Sequence, residues 1–152
     1  MKLTIGVPVY NGEKYISRCI DSIAKEYEAV KDKIELELLI VNDGSKDSSE
    51  TMLKGYSVKL SYLKVISQEN RGLAHVRRVT LEEASGDYLW FVDVDDEIEE
   101  GSIEFIANQD LEEVNIFNYR VGYESRKLDN VCMGIKENII LIPKKEKNWV
   151  ML

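Results

Sequence analysis

Three carboxylates, Asp93, Asp95 and Asp96, fall within four residues at the end of the apolar run Tyr88-Leu89-Trp90-Phe91-Val92. A buried strand has no use for charge, and adjacent carboxylates repel one another, so folding alone does not account for the cluster. A hard divalent cation would. Mg²⁺ and Mn²⁺ prefer carboxylate oxygen, and magnesium sites commonly combine one or two carboxylates with the phosphate oxygens of a substrate. Two other readings stand beside this one. An acidic strand end is often a solvated turn. A calcium loop of the EF-hand type would set Asp93, Asp95 and Glu97 at its first, third and fifth positions and Glu104 at its twelfth. Its sixth position requires Gly for the sharp turn and here holds Ile98.

Two more polar groups end apolar runs: Tyr10-Asn11 after Leu3–Val9, and Asn42-Asp43-Gly44-Ser45 after Ile34–Val41. A fourth oddity is Arg77, which falls on a helical wheel within the apolar stripe Leu73, Val76, Thr80, Leu81 and Ala84, while His75, Arg78 and Glu82 fall opposite. A guanidinium on that side either pairs with a core carboxylate or snorkels, or it reaches a phosphate or a site aspartate with its planar fork of donors. Asn70-Arg71-Gly72 before that helix leaves free N–H groups suited to an anion, although such clusters are commonly plain turns. His75 is the only histidine and is expected at the surface, so no Ser/His/Asp or Cys/His arrangement is available. Neither a Walker-type loop nor a Gly-x-Gly-x-x-Gly run follows the first strand, which sets aside ordinary P-loop and dinucleotide readings.

The elements that must position these residues alternate. Leu3–Val9, Ile34–Val41, Leu60–Ser67 and Tyr88–Val92 read as strands, with Pro8 and Asn11-Gly12 breaking the first run. Ile16, Cys19, Ile20, Ile23, Tyr27 and Val30 form one helical stripe. Asp47-Ser48-Ser49 offers caps for a short second helix, and a third runs from about Leu73 to Ala84, closed by Ser85-Gly86. Ile103–Ala107 is expected as helix, Val114–Val121 and Asn138–Ile142 as strands, and Pro143–Lys147 as a basic turn. Uniformly apolar strands alternating with helices imply a mainly parallel sheet covered on both faces, with the ligand crevice beyond the carboxyl ends of the strands. The three polar clusters converge on that edge.

The chain has 152 residues, the size of one ordinary domain, with 44% apolar and 32% charged residues. A net charge of −8 argues against non-specific nucleic-acid binding, yet a bound cation could still bring an anionic ligand to an acidic site. Cys19 and Cys132 match no metal spacing, and Cys19 on an apolar helix face is expected as a buried free thiol. That composition, with no signal peptide and no transmembrane segment, leads to an expected cytoplasmic location, peripheral at the inner membrane face at most.

The segments Gly6-Val7-Pro8-Val9-Tyr10-Asn11-Gly12-Glu13, Val41-Asn42-Asp43-Gly44-Ser45, Glu69-Asn70-Arg71-Gly72-Leu73-Ala74-His75-Val76-Arg77 and Gly86–Asp96 occur in order, and together they resemble the family 2 glycosyltransferases of the GT-A fold. Glu113-Val114-Asn115-Ile116-Phe117-Asn118-Tyr119-Arg120 is similar to the strand that follows in that family. The resemblance implies a three-layer α/β/α, Rossmann-like fold with a mainly parallel central sheet, residues 1–122 being the nucleotide-sugar-binding core and 123–152 a partial extension of the same domain. It implies a nucleoside-diphosphate sugar as donor, with a UDP-sugar favoured, a divalent metal (Mn²⁺ or Mg²⁺), and transfer to the hydroxyl of a glycan or lipid-linked acceptor in polysaccharide or cell-surface glycan synthesis.

By the same resemblance Pro8, Tyr10 and Asn11 would line the nucleotide pocket with Glu13 nearby, Asp43 would hydrogen-bond the base, and Arg77 would lie beside the site. Asp93, Val94 and Asp95 would form the Asp-x-Asp element, with Asp93 and Val94 on the nucleotide and Asp95 and Asp96 toward the metal. Arg71, Arg78 and Thr80 depart from the family pattern, which commonly has Gly, Asn and Gly at those places. Members usually continue past this length with the acceptor region and an acidic base, and no matching carboxylate motif occurs between Gly101 and Leu152. The expectation is therefore a donor-binding part with its C-terminal portion truncated. The alternative is a nucleotide-binding domain without turnover.

Overall fold

A computed structural model of the chain describes residues 1–108, 115–118, 138–145 and 148–149. Strands and helices alternate as β1 (Lys2–Val9), α1 (Ile16–Val30), β2 (Glu35–Asp43), α2 (Ser49–Lys59), β3 (Leu63–Gln68), α3 (Leu73–Glu83) and β4 (Tyr88–Phe91). Then follow α4 (Ser102–Ala107), β5 (Asn115–Asn118), β6 (Asn138–Lys145) and β7 (Asn148–Trp149). The sheet order is β3-β2-β1-β4-β6-β5, with β7 on β6. The first four strands are parallel, and β6 runs antiparallel to its neighbours.

Alternation along the strands divides the core in two. Leu3, Ile5, Val7 and Val9 of β1 point to one face, where they meet the α1 stripe, Leu53 of α2 and Ile103 and Ile106 of α4. Leu39 and Leu89 point to the other face and pack on Leu81 of α3 and on Ala84 just after it. The arrangement is the expected three-layer α/β/α sandwich. A glycine makes the second layer possible: a Cβ at Gly6 would lie 2.5 Å from Cγ2 of the fully buried Thr80, so α3 can descend onto β1 only where that side chain is missing.

Both prolines lie inside strands, where local reading expected breaks. Pro8 has β2 on one side, but the β4 ladder on its other side ends at Gly6, so its missing N–H disrupts no pairing there. Pro143 lies opposite Tyr88 of β4; the β5 ladder stops at Leu141 and the β7 ladder begins at Lys144. Its segment is thus strand through Lys145 rather than a turn from Pro143. The domain boundary expected near residue 122, and Cys132, lie outside the described residues.

Candidate functional site

The parallel strands present their carboxyl ends to one edge. From β1 the chain passes through α1 on one face to β2; it returns through α3 on the opposite face to β4 on the other side of β1. The crevice between the ends of β1 and β4 is therefore the point where the winding reverses, the usual ligand position in open α/β sheets.

The acidic loop begins there. Val92 continues the strand by donating its N–H to the Gly6 carbonyl at 3.0 Å. Val94 packs beneath the loop, close enough that a Cβ at Gly12 would lie 3.3 Å from its methyl groups. With Val92 and Val94 turned inward, Asp93 and Asp95 are exposed, and a turn from the Asp96 N–H to the Asp93 carbonyl at 3.0 Å brings Asp96 beside them. Helix α1 holds this loop from below. Arg18 pairs with Glu97 at 2.7 Å and donates to the Asp95 carbonyl at 3.2 Å, and the Ile98 N–H reaches the Ser22 hydroxyl at 3.2 Å. Burial, then the charges of Asp95 and Asp93, raise the Asp96 carboxyl above the usual range, with Arg18 offsetting part of the effect. Such a pocket of negative potential is what a cation relieves.

The fit to a divalent metal rests on the donor set. Asp93, Asp95 and Asp96 are all hard oxygen donors, but no three His, Cys, Asp or Glu side chains among the described residues already converge on one point. The loop thus suits Mg²⁺ or Mn²⁺ as a partial shell completed by ligand oxygens. The segment before the loop is a strand, contrary to the helix that an EF-hand loop requires. Cys19 adds no soft ligand: burial, followed by Asp96 and Asp95, pushes its thiol to about 12, and its Sγ lies 3.9 Å from the Asp93 carbonyl.

The β1 loop is fastened to the loop after β2 by a ladder of polar contacts. The Asn11 N–H donates to Ser45 Oγ at 2.9 Å and its Oδ1 accepts from the Lys46 N–H at 2.8 Å. The Gly12 N–H reaches Ser49 Oγ at 2.9 Å, the Glu13 N–H reaches Asp47 at 3.0 Å, and Glu13 accepts from the Ser48 N–H at 3.0 Å. Asn11 adopts a left-handed φ of 51°, which asparagine tolerates better than most residues. These contacts leave Tyr10 standing out, 51% exposed, with Pro8 half-buried below it. In the sequence, Asp47, Ser48 and Ser49 read only as helix caps. Their partners lie about 35 residues away, and no local signal could reveal the pairing.

Asp43, at the end of β2, is 3% exposed. Its Oδ1 accepts from Gln68 Nε2 at 2.7 Å and the Arg71 N–H at 2.9 Å, and its Oδ2 accepts from the Gly72 N–H at 2.8 Å. Burial pushes the carboxyl pKa up, but these three donors outweigh it and hold the group ionised below the usual carboxylate range. An ionised carboxylate has about four acceptor positions, so one remains, on Oδ2. Gly44 lets the strand ends approach: its φ is 70°, and a Cβ there would lie 2.7 Å from the Asn70 nitrogen.

Helix α3 differs from its wheel. Val76, Thr80 and Leu81 are buried as expected, but Leu73 is half-exposed and Arg77 is exposed. The Arg77 guanidinium lies over the Phe91 ring at 5.8 Å, and no hydrogen bond or ion pair among the described residues engages it. It is a snorkelled cation at the end of β4, free to meet an anion. At the opposite edge of the sheet, a hollow of about 530 Å³ is lined by Lys2, Lys31 and Lys64, each already paired with Glu35, Glu28 or Glu83. That hollow offers an anionic ligand no unpaired cation.

The profile of Glycosyl transferase family 2 matches residues 4–146. Glycosyltransferase GlyA of Streptococcus pneumoniae is 37% identical over 127 residues, which are 82% of this chain and 18% of GlyA. The poly(ribitol-phosphate) beta-N-acetylglucosaminyltransferase TarS of Staphylococcus aureus is 37% identical over 109 residues, 70% of this chain and 18% of TarS. The chain thus spans less than a fifth of the length of either relative. The crystal structure of S. aureus TarS 1-349 in complex with UDP-GlcNAc superposes with a TM-score of 0.70 at 31% identity, covering 86% of this chain and 37% of that one. The mannosyltransferase PcManGT of Pyrobaculum calidifontis, in complex with GDP-Man and Mn²⁺, has a TM-score of 0.65 at 21% identity over 76% of this chain and 34% of that one, a likeness of fold. With the strand order, the carboxyl-end crevice and the family profile in agreement across nearly the whole chain, this protein belongs to Glycosyl transferase family 2 and carries the GT-A part of that fold.

Proposed function

We propose that this chain binds a nucleoside-diphosphate sugar, a UDP-sugar by preference, together with Mn²⁺ or Mg²⁺, as the donor side of sugar transfer to an acceptor hydroxyl. The observation that carries this reading is that Asp43, the Tyr10 loop and the acidic loop end the neighbouring strands β2, β1 and β4 along one carboxyl edge of the sheet, beside the switch point between β1 and β4. The UDP-GlcNAc complex of TarS supports the choice of nucleotide, and the Mn²⁺ complex of PcManGT is consistent with the metal. The glycan or lipid-linked acceptor, and a role in polysaccharide or cell-surface glycan synthesis, are proposed on the same footing.

In this reading each group acts through its observed setting. Asp43 offers its one remaining acceptor position to a base N–H, while Pro8 and the outward ring of Tyr10 bound the base. Asn11 and Glu13 act chiefly by holding the loop that presents Tyr10. Asp93 and the Val94 backbone face the ribose side of the nucleotide, and Asp95 and Asp96 would hold the metal. The cation would supply neutralisation of the charge that builds on the departing diphosphate. Arg77, unpaired at the end of β4, adds a guanidinium to the same end of the pocket.

The test is a thermal melt with UDP and Mn²⁺ together. The pair should raise the melting temperature of the intact chain, each alone should do so less, and Asp95→Ala should remove the combined shift. Absence of stabilisation by any nucleoside diphosphate with metal would sink the proposal. A shift without hydrolysis or transfer of the sugar nucleotide would instead favour nucleotide binding without turnover.

A further inference from the structure

Three hydrogen-bond donors surround the imidazole of His75. Gln68 Nε2 lies 3.3 Å from Nδ1, while Arg71 Nη1 and Arg78 Nη2 lie 3.5 Å and 3.3 Å from Nε2. The Gln68 amide cannot be turned to relieve this, because its nitrogen is the group that donates to the ionised Asp43 at 2.7 Å. A neutral imidazole has one acceptor nitrogen, and a protonated one has none. One side of the ring therefore always faces donor to donor, and two guanidinium ions converge on a group that cannot satisfy both.

The charges are equally unbalanced. Arg71 has no carboxylate partner among the described residues, and the only one near Arg78 is Glu82 at 3.9 Å, between two exposed side chains. In a chain of net charge −8, Lys2, Lys25, Lys31, Lys33, Lys54 and Lys64 have a carboxylate within 3.3 Å; Lys14, Lys46, Lys59 and Arg77 have none among the described residues, but only Arg71 and Arg78 converge on one group. What the cluster lacks is an acceptor with negative charge and several lone pairs. A phosphate group has both, and it suits the fork of donors that arginine presents.

We propose that Arg71 and Arg78, converging on His75, form a second anion site that takes the phosphoryl group of a phosphate ester. It is separate from the acidic loop. Gln68 and His75 stand at the end of β3, and the loop follows β4, with β2 and β1 between them. Three strand spacings are about 14 Å, too far for one phosphoryl group to serve both. The Asp43–Gln68 contact joins the new site to the place where the base is proposed to bind, so an ester bound there would lie on the outer side of the donor pocket.

His75 is the only histidine, so its imidazole Cε1–H signal in proton NMR is a built-in reporter. The intact chain is titrated with inorganic phosphate, glycerol 3-phosphate and glycerophosphoglycerol at fixed neutral pH and constant ionic strength, without nucleotide or metal. A saturable shift is expected with phosphate and with at least one ester. Tighter binding of the monoester would identify a terminal phosphate as the ligand, and tighter binding of the diester a phosphodiester-linked chain. Arg71→Gln/Arg78→Gln, whose fold is checked by its melting curve, should weaken the affinity about tenfold or more. Asp95→Ala should leave the affinity unchanged, which keeps this result independent of the donor-site reading. A linear response, equal affinity in the double variant, loss in Asp95→Ala, or binding of phosphate but neither ester would overturn the proposal.

Discussion

Asp43 illustrates how a residue can be found from sequence while its working state cannot. Its place after an apolar run marks it as a site residue, but its chemistry depends on Gln68, Arg71 and Gly72, which arrive from 25 to 29 residues away. They hold it ionised and leave one acceptor position, so it can accept a base N–H and cannot donate to a ring nitrogen. Under the proposed donor role this discriminates between pyrimidines. Uracil presents N3–H, whereas cytosine presents a lone pair at N3 that the carboxylate repels. UDP should therefore bind about tenfold or more tightly than CDP in the presence of Mn²⁺. Calorimetric titration measures the ratio, and equal affinities would show that Asp43 does not read the base. Arg77 gives the complementary lesson. The wheel marked it as anomalous, but it escapes the core by snorkelling over Phe91 rather than by pairing inside.

At the scale of elements, the close approach of α3 to β1 is the tightest of those made at a glycine among the described residues. Gly6→Ala would drive a Cβ to 2.5 Å from the Thr80 methyl, which must then move with the helix. We expect a loss of about 1–3 kcal/mol, the usual range for overpacking a core. Thr80→Ser removes that methyl and retains the hydroxyl that donates to the Val76 carbonyl at 2.9 Å. In the Gly6→Ala background it should therefore recover more than half of the loss, although alone it should destabilise. Urea unfolding of the four proteins in the cycle checks this, and additive effects would mean that the two residues do not share the space. Gly6 supplies the room that the Thr80 side chain occupies. The strand boundaries teach the same point, since both prolines look like breakers locally and are harmless where a neighbouring ladder has ended.

For the whole molecule, three carboxylates tie separate parts of the chain together: Glu37, Asp43 and Asp47. Burial pushes each carboxyl pKa up, but hydrogen bonds outweigh it: to Glu37 from Ser85 and Thr4, to Asp43 from Gln68, Arg71 and Gly72, and to Asp47 from Ser49 and Glu13. All three are lowered on folding, so the unfolded chain binds more protons as the pH falls through the carboxylate range. Their contribution is present above the ordinary carboxylate values of about 4 and is lost as the pH drops through the lower, folded ones. Asp96, raised on folding, works in the opposite sense and offsets part of this, so with three carboxylates lowered against one raised, stability to urea should show a net decline between about pH 5 and pH 2. Glu37→Gln should flatten that decline while lowering stability at neutral pH. A decline of unchanged steepness in this variant would remove Glu37 from the account.

The sequence by itself determined the class of fold, because apolar periodicity is a local property: runs of strand length and stripes of helical spacing appear wherever a face must be buried. It also marked the acidic loop, Asp43 and the Tyr10 loop, because charge and turn residues at the ends of apolar runs need no partner to be noticed. Only the tertiary structure decided what these residues touch. That Asn11 and Glu13 fasten one loop to another, that Asp43 has one acceptor left, and that Arg71 and Arg78 meet at one imidazole all depend on chain segments brought together across the sheet. The burial that raises the Asp96 carboxyl, too, depends on α1 holding the loop at the end of β4. Sequence spacing records which groups are near along the chain, whereas binding chemistry is set by which groups are near in space.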